Sequence, residues 1–197
     1  MKLLAATGNR HKIEEFSGIL APFGVEFISP DEIGGIPEPE ENGATFEENA
    51  SIKAVEAAKF ADMPAFADDS GLEVEALDNA PGIYSSRYAE NDEKRIARVL
   101  RELEDAEART GNTNRRARFV CVAAFAEPGR EPVTFRGEVY GTIIREPRGE
   151  GGFGYDPVFV PDGYNGTFAE LQADVKNSIS HRSNALKKAA EFFREAD

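Results

Sequence analysis

Soft metal ligands are scarce in this chain: one cysteine, Cys121, and two histidines, His11 and His181, in 197 residues. No disulfide can form within the chain, and a structural zinc site, which usually takes four cysteine or histidine ligands, has too few of them, so any metal is expected to be oxygen-bound. Cys121 lies in the apolar run Phe119-Val120-Cys121-Val122-Ala123-Ala124-Phe125, where a small buried hydrophobe is expected rather than a nucleophile. Positive charge is also short. With 23 basic against 36 acidic residues the net charge is −13, which argues against broad binding to a phosphate backbone, so nucleic acid is not expected as a partner. No run approaches membrane-spanning length, and Met1-Lys2-Leu3-Leu4-Ala5-Ala6-Thr7-Gly8 has too short an apolar stretch for a signal peptide, so no membrane partner and a cytoplasmic location are expected. The glycine-rich spacer and Gly-Lys-Ser/Thr ending of a Walker loop are missing too, which disfavours phosphate transfer by that route. The chain has no internal repeat and no low-complexity segment.

What is present reads as an α/β chain of ordinary globular composition, long enough for one domain, or one domain with a small lobe. Lys2 to Ala6 reads as a buried strand, the turn Thr7-Gly8-Asn9 leads to a helix with apolar residues at 13, 16, 19 and 20, and Gly24 to Ile28 reads as a second strand. A Pro- and Glu-rich loop from Ser29 to Asn42 precedes a long helix over Thr45 to Ala61, with Thr45 and Glu48 as a capping box. Strands are expected at 64–67 and 72–77, a loop over 79–89, a charged helix over 90–110, and an antiparallel pair at 119–126 and 133–145. A strand at 158–160 and a last helix from about Ser180 complete the reading.

Four places suggest chemistry. Ala67-Asp68-Asp69-Ser70-Gly71-Leu72 puts two adjacent carboxylates where a buried strand is expected to end, the position at which open α/β sheets keep their ligands; the same residue types also make plain turns. Adjacent side chains on a strand point to opposite faces, so one working and one structural carboxylate are expected. Thr7, Gly8 and Asn9 with Lys12 one turn into the helix form a compact anion trap of free helix N–H groups, a hydroxyl, an amide and a cation; a turn beside a surface lysine reads as well. Asn49 and Lys53 share a helix face and would extend that trap, although a solvated lysine is the plainer reading of the pair; Glu38, Glu40 or Glu41 in the preceding loop would join Asp69 around a hard divalent cation, for which Mg²⁺ fits, or serve only as solubilising loop acids. The glycines around Phe153 would let backbone approach a flat ligand, with Phe153 as stacking face, Asp156 as acceptor for ring N–H groups, and Lys176, His181 and Arg182 as donors to keto oxygens; a Gly-rich turn and an ordinary helix start read as well.

Taken in order, Thr7-Gly8-Asn9…Lys12, Glu41-x-Gly43-x-Thr45-Phe46-x-x-Asn49-Ala50-x-x-Lys53-Ala54, Ala67-Asp68-Asp69-Ser70-Gly71-Leu72, Pro81-Gly82-Ile83-Tyr84-Ser85, Gly152-Phe153-Gly154-Tyr155-Asp156-Pro157 and Ser180-His181-Arg182 resemble the inosine triphosphate pyrophosphatase family over nearly the full chain. The resemblance implies a single pyrophosphatase domain over residues 1–197, an elongated mixed α/β sheet flanked by helices, two lobes with a central cleft, and a homodimer. It implies magnesium-dependent hydrolysis of ITP, dITP and XTP to the monophosphate and pyrophosphate. It places Asp69 as proton acceptor, Glu41 and Asp69 on Mg²⁺, and Thr7, Gly8, Asn9, Arg10, His11, Lys12 and Lys53 on the phosphates. Ser70 would be a neighbouring substrate contact, and Phe153, Gly154, Tyr155, Asp156, Lys176, His181 and Arg182 would form the base pocket. Two other readings stand beside it: a septum-inhibitor type of nucleotide pyrophosphatase, which fits the Gly-Phe-Gly-Tyr-Asp and Ser-His-Arg segments poorly, and a nucleotide sensor without turnover.

Overall fold

The structure is a computed structural model and describes residues 1–196. Its strands are β1 (Lys2–Ala5), β2 (Glu26–Ile28), β3 (Ala65–Val74), β4 (Arg116–Ala126), β5 (Val133–Ile143) and β6 (Phe159–Pro161). They form one mixed sheet in the order β2-β1-β3-β4-β5-β6. β1 runs parallel to β2 and to β3, with Leu3 opposite Phe27 and Leu4 opposite Ala65, while β6 is antiparallel to β5 with Ile143 opposite Phe159. Its helices are α1 (Arg10–Leu20), α2 (Phe46–Ala61), α3 (Asp92–Thr110), α4 (Ala173–Ile179) and α5 (His181–Ala196). The chain divides into two compact units, one made of Met1–Asp69, Cys121–Gly137 and the segment from Arg182 on, the other of Ser70–Val120 and Glu138–His181.

In the first unit the apolar stripe of α1, with Phe16 and Leu20 fully buried, meets Leu3, Val25 and Phe66 from the strands and Ala185, Leu186, Ala189 and Phe193 from α5. Aromatic rings dominate this core. Phe16 and Phe66 meet edge-on at 5.2 Å between centroids, a favoured geometry that adds to the area buried. α2 buries small residues instead, Ala50, Ala54, Ala57 and Ala58, together with Asn49. In the second unit α3 is strongly amphipathic, burying Ile96, Val99, Leu103 and Ala106 at helical spacing. They pack with Leu72, Val74, Phe119, Phe159 and Phe168.

Several expected boundaries need correction. β3 does not stop before the aspartates: it runs unbroken from Ala65 to Val74, so Asp68-Asp69-Ser70-Gly71 is strand and not turn, and the second strand expected at 72–77 is its continuation, closed by a 3₁₀ turn over Glu75–Leu77. Turn-forming residue types can stay extended here because the side chains that would bond locally are engaged by distant cations, as described below. Likewise the loop expected over 79–89 contains a 3₁₀ helix, Gly82–Arg87, and the last helix is preceded by the separate short helix α4.

Candidate active site

β3 delivers its two carboxylates to different neighbours, as the alternation of a strand requires. Asp68 is buried among cations from two helices: Lys12 Nζ of α1 lies 2.7 Å from Oδ1 and Arg182 Nε of α5 lies 3.1 Å from Oδ2. The Cys121 thiol donates to Oδ2 as well, at 3.7 Å, and Arg182 Nη1 continues to Glu15 Oε2 at 2.8 Å. Burial alone would push the Asp68 carboxyl up, but Lys12 and Arg182 outweigh it and hold the group well below the usual carboxylate range. Burial pushes the Cys121 thiol far up, with the Asp68 charge adding to it, so it stays protonated and acts as a donor rather than a nucleophile.

Asp69 has different company. Its Oδ1 accepts from Lys53 Nζ of α2 at 3.0 Å, and the same ammonium lies 3.1 Å from Glu41 Oε1. Its Oδ2 is buried with no hydrogen-bond partner among the described residues. Burial pushes the Asp69 carboxyl above its ordinary value, and Lys53 only partly offsets this. For Lys53 burial works the other way, and Asp69, Asp68 and Glu41 together outweigh it, so the ammonium is held charged. The lysine gains from three carboxylates, whereas Asp69 has one cation set against its burial.

The loop bearing Glu41 is fixed by the start of α2. Thr45 Oγ1 caps Glu48 N, Glu48 Oε2 accepts from Ala44 N at 2.6 Å, and the buried Asn49 Oδ1 accepts from Gly43 N at 2.9 Å. Glu48 thus bonds one residue before the cap, a shifted version of the capping box expected. A Cβ on Gly43 would come within 2.7 Å of Asn49 Oδ1, so only glycine lets this turn close on the helix. Asn49 therefore anchors the loop through its oxygen.

The anion trap is only partly as expected. Asn9 caps α1, its Oδ1 accepting from His11 N at 3.0 Å and Lys12 N at 3.4 Å, and Thr7 Oγ1 accepts from Asn9 N at 3.2 Å. Of the N–H groups expected to be free for a phosphate, those of Asn9, His11 and Lys12 are thus already satisfied from within the turn. An anion would have to compete with Asn9. The side chains of Arg10 and His11 are exposed, each facing an acid, Asp31 at 3.8 Å and Glu14 at 3.6 Å.

In the second unit the glycine-rich stretch presents Phe153, 56% exposed, with Lys176 Nζ 4.9 Å from the centre of its ring. Asp156 Oδ2 accepts from Phe153 N at 2.9 Å and Lys176 Nζ at 2.5 Å, so this carboxylate organises the loop instead of standing open to a ring N–H. A Cβ on Gly152 would fall 2.1 Å from that oxygen. Tyr155 is buried and its hydroxyl donates to Ser85 O at 2.9 Å; burial also pushes its pKa up, so it is a packing residue. Gly154 N donates to Asp92 Oδ2 at 2.7 Å, a partner that sequence spacing does not reveal because 62 residues separate the two. His181 is buried and stacks on Phe119 with ring centroids 4.9 Å apart. Ser70 is half-buried on β3. Arg182, expected among the base-reading donors, belongs to the first unit and turns its Nε and Nη1 to Asp68 and Glu15 there.

Glu41 and Asp69 fit a hard divalent ion in one specific way. Among the described residues no group of three or more histidine, cysteine, aspartate or glutamate side chains could hold a metal by itself. Glu41 and Asp69 alone already share one cation, and Asp69 keeps a buried oxygen in reserve. That is a partial shell, of the kind a hard divalent cation completes with water and phosphate oxygens.

Comparison with known proteins gives matches over nearly the full length of the chain. The model of the Ham1 family matches residues 3–192. A dITP/XTP pyrophosphatase of Exiguobacterium sp. is 48% identical, the match covering 95% of this chain and 94% of that relative. One of Desulforamulus reducens is 49% identical over 98% of this chain and 95% of that relative. The solved structure of a HAM1 protein from Coxiella burnetii superposes with a TM-score of 0.93 at 42% identity, covering 99% of each chain.

Proposed function

This chain belongs to the Ham1 family, and from that premise we propose that it is a pyrophosphatase of non-standard purine nucleotides. It hydrolyses ITP, dITP and XTP to the monophosphate and pyrophosphate, removing deaminated purines from the nucleotide pool. The observation that carries the residue roles is the contrast at Asp69: one oxygen held by Lys53, the other buried and without a partner.

Asp69 is assigned as the proton acceptor. A water held at Oδ2 gives its proton to that oxygen while its own oxygen bonds to phosphorus; the phosphoanhydride bond breaks, and its electron pair leaves with the pyrophosphate. Burial raises the proton affinity of this carboxyl, which makes it a better base than an exposed aspartate. Glu41 and Asp69 are the proposed ligands of Mg²⁺, which when bound supplies charge neutralisation on the phosphoryl oxygens. Lys53, with two carboxylates in reach, turns to the phosphates as they arrive, and Lys12 adds charge from α1 beside Thr7, Gly8, Asn9, Arg10 and His11. Ser70, next along β3, is a substrate contact. Phe153 stacks on the purine, Gly154 and Tyr155 shape its loop, and Lys176 and His181 face the keto oxygens. Adenine carries an amino group where hypoxanthine and xanthine carry a keto group, so a donor there goes unpaired at a cost of about 1 to 3 kcal/mol. Arg182, committed to Asp68 and Glu15, acts by holding Asp68 in place.

The family resemblance also supports a homodimer, which sedimentation would check, and a cytoplasmic enzyme; no helix among the described residues is long and apolar enough to cross a membrane. A panel of ITP, XTP, dITP, GTP and ATP, read by pyrophosphate release with and without magnesium, tests the function. Release from ITP, XTP and dITP only when the metal is present is the expected result. GTP or ATP turned over as fast as ITP would defeat the specificity.

A further inference from the structure

Phe153 stands on a stretch that should not hold still. Gly149, Gly151, Gly152 and Gly154 surround it, and glycine has the widest conformational freedom of any residue. An exposed ring on such a backbone would lose much of its stacking contribution to the entropy of being ordered. The structure supplies anchors instead. Gly151 N donates to Ala169 O at 3.1 Å, Phe153 N to Asp156 Oδ2 at 2.9 Å, and Gly154 N to Asp92 Oδ2 at 2.7 Å. Consecutive amides on either side of the ring are thus held by two different carboxylates. Asp156 belongs to the loop itself. Asp92 comes from the first turn of α3, where the helix N-terminus favours a negative charge, and its other oxygen accepts from Arg95 Nη1 at 2.6 Å. Arg95 in turn donates from Nε to Ala89 O at 3.1 Å. The loop is thereby tied to a rigid, well-packed helix.

We propose that Asp92 is a positioning residue for purine recognition: it fixes the Phe153 ring in the plane the base stacks on, and so sets affinity for the nucleoside half of the substrate without acting on the phosphates. This rests on the proposed function, because it takes Phe153 as the platform for the base. The chemistry follows from the geometry. A charge-assisted N–H···O⁻ bond to a helix-borne carboxylate is stronger than a neutral one and leaves the loop one conformation. Without it, each nucleotide must order Gly154 and Phe153 on binding.

The test compares Asp92→Ala and Asp92→Asn with the unaltered enzyme, using ITP, which carries a base, and inorganic tripolyphosphate, which does not. Asp92→Ala is expected to raise KM for ITP about fivefold to tenfold, part of what stacking on an aromatic ring contributes, with kcat within about twofold. Binding of tripolyphosphate, followed by thermal shift with magnesium present, should be unchanged. Asp92→Asn, which keeps an oxygen acceptor for the Gly154 amide, should recover most of the lost affinity. A fall in kcat at unchanged KM, a parallel loss of tripolyphosphate binding, or an asparagine variant as weak as the alanine one would each overturn the proposal. Should Asp92→Ala not fold, the asparagine variant in a Phe153→Trp background gives a second reading. Its indole fluorescence should be quenched by bound ITP with the same midpoint as the Phe153→Trp protein, and loss of that quenching would also overturn it. Failure of the underlying function is distinguishable, since the unaltered protein would then release no pyrophosphate from ITP with magnesium present.

Discussion

Asp68 and Asp69 are one peptide bond apart on β3, and the surroundings of the two side chains differ in almost every respect. On the Asp68 side two cations and a thiol meet both carboxylate oxygens, and Arg182 passes the network on to Glu15. Around Asp69 a single ammonium is divided between two acids, and one oxygen has no partner among the described residues. Complete pairing fixes a carboxylate as a strut. Incomplete pairing leaves it able to take up a proton or a metal. The residue type is identical in both places, so the role is decided by how many donors the neighbouring helices bring.

The sharpest way to break this contrast is to neutralise each member in turn. Asp69→Asn removes the proposed base and proposed metal ligand, and turnover of ITP should fall by roughly 10²- to 10⁴-fold, the range for a lost general base. Because burial opposes the charge of Asp69, the variant should melt within a few degrees of the unaltered protein; a turnover loss that merely tracks unfolding would count against the assignment. A nucleotide sensor without turnover would show no hydrolysis to lose.

Asp68→Asn should do the reverse. It leaves Lys12 and the buried Arg182 without their shared anion, and removing one partner of a buried ion pair costs about 3 to 5 kcal/mol. For a chain of this size that lowers Tm by roughly 6 to 20 °C, at about 2 to 4 °C per kcal/mol. A melting point within a degree of the parent would show that the network is not a strut at all.

Acid titration of the same pair sharpens the point. The folded-state pKa of Asp68 lies below its unfolded value, so the stability it contributes is complete above that unfolded value, about 4, and is lost as pH falls toward the folded one. The Tm gap between the parent and Asp68→Asn should hold steady from pH 7 to about 5 and narrow below about 4. A gap that closes already near neutrality would contradict the pairing. The smallest effect is expected away from β3: Lys176→Met should erode the preference for ITP over ATP about threefold to tenfold, the worth of one hydrogen bond, with basal hydrolysis less affected. Equal losses for every nucleotide would argue against base reading by Lys176.

Much of this architecture is readable from periodicity. The stripes of α1 and α3 bury the residues that helical spacing selects, and the alternation of β3 separates the two aspartates as expected. Glu41 is legible as an acid in reach of Asp69's surroundings, but only the Gly43 to Asn49 contact explains why this acid of the loop meets Lys53. Three features escape a reading along the chain. β3 continues through Asp-Asp-Ser-Gly because Lys12, Lys53 and Arg182 arrive from positions far away in sequence and satisfy groups that would otherwise form a turn. The amides at the start of α1 look open until Asn9 is seen to fold back on them. Asp92 reads as an ordinary acid in a helical first turn, and nothing local marks its bond to Gly154. In each case a partner chosen by tertiary structure overrides a local preference.

Lys53 has a practical consequence for handling the protein. Because its ammonium already spans Glu41 and Asp69, the pair keeps a resident counter-ion when no divalent metal is present, and mutual repulsion of the two acids is relieved from within. Chelation should therefore yield a dormant protein rather than a damaged one, with its melting behaviour preserved and its activity restored on returning the cation. Storage in chelator is therefore expected to leave this enzyme intact, where for a protein folded around its metal it would be ruinous.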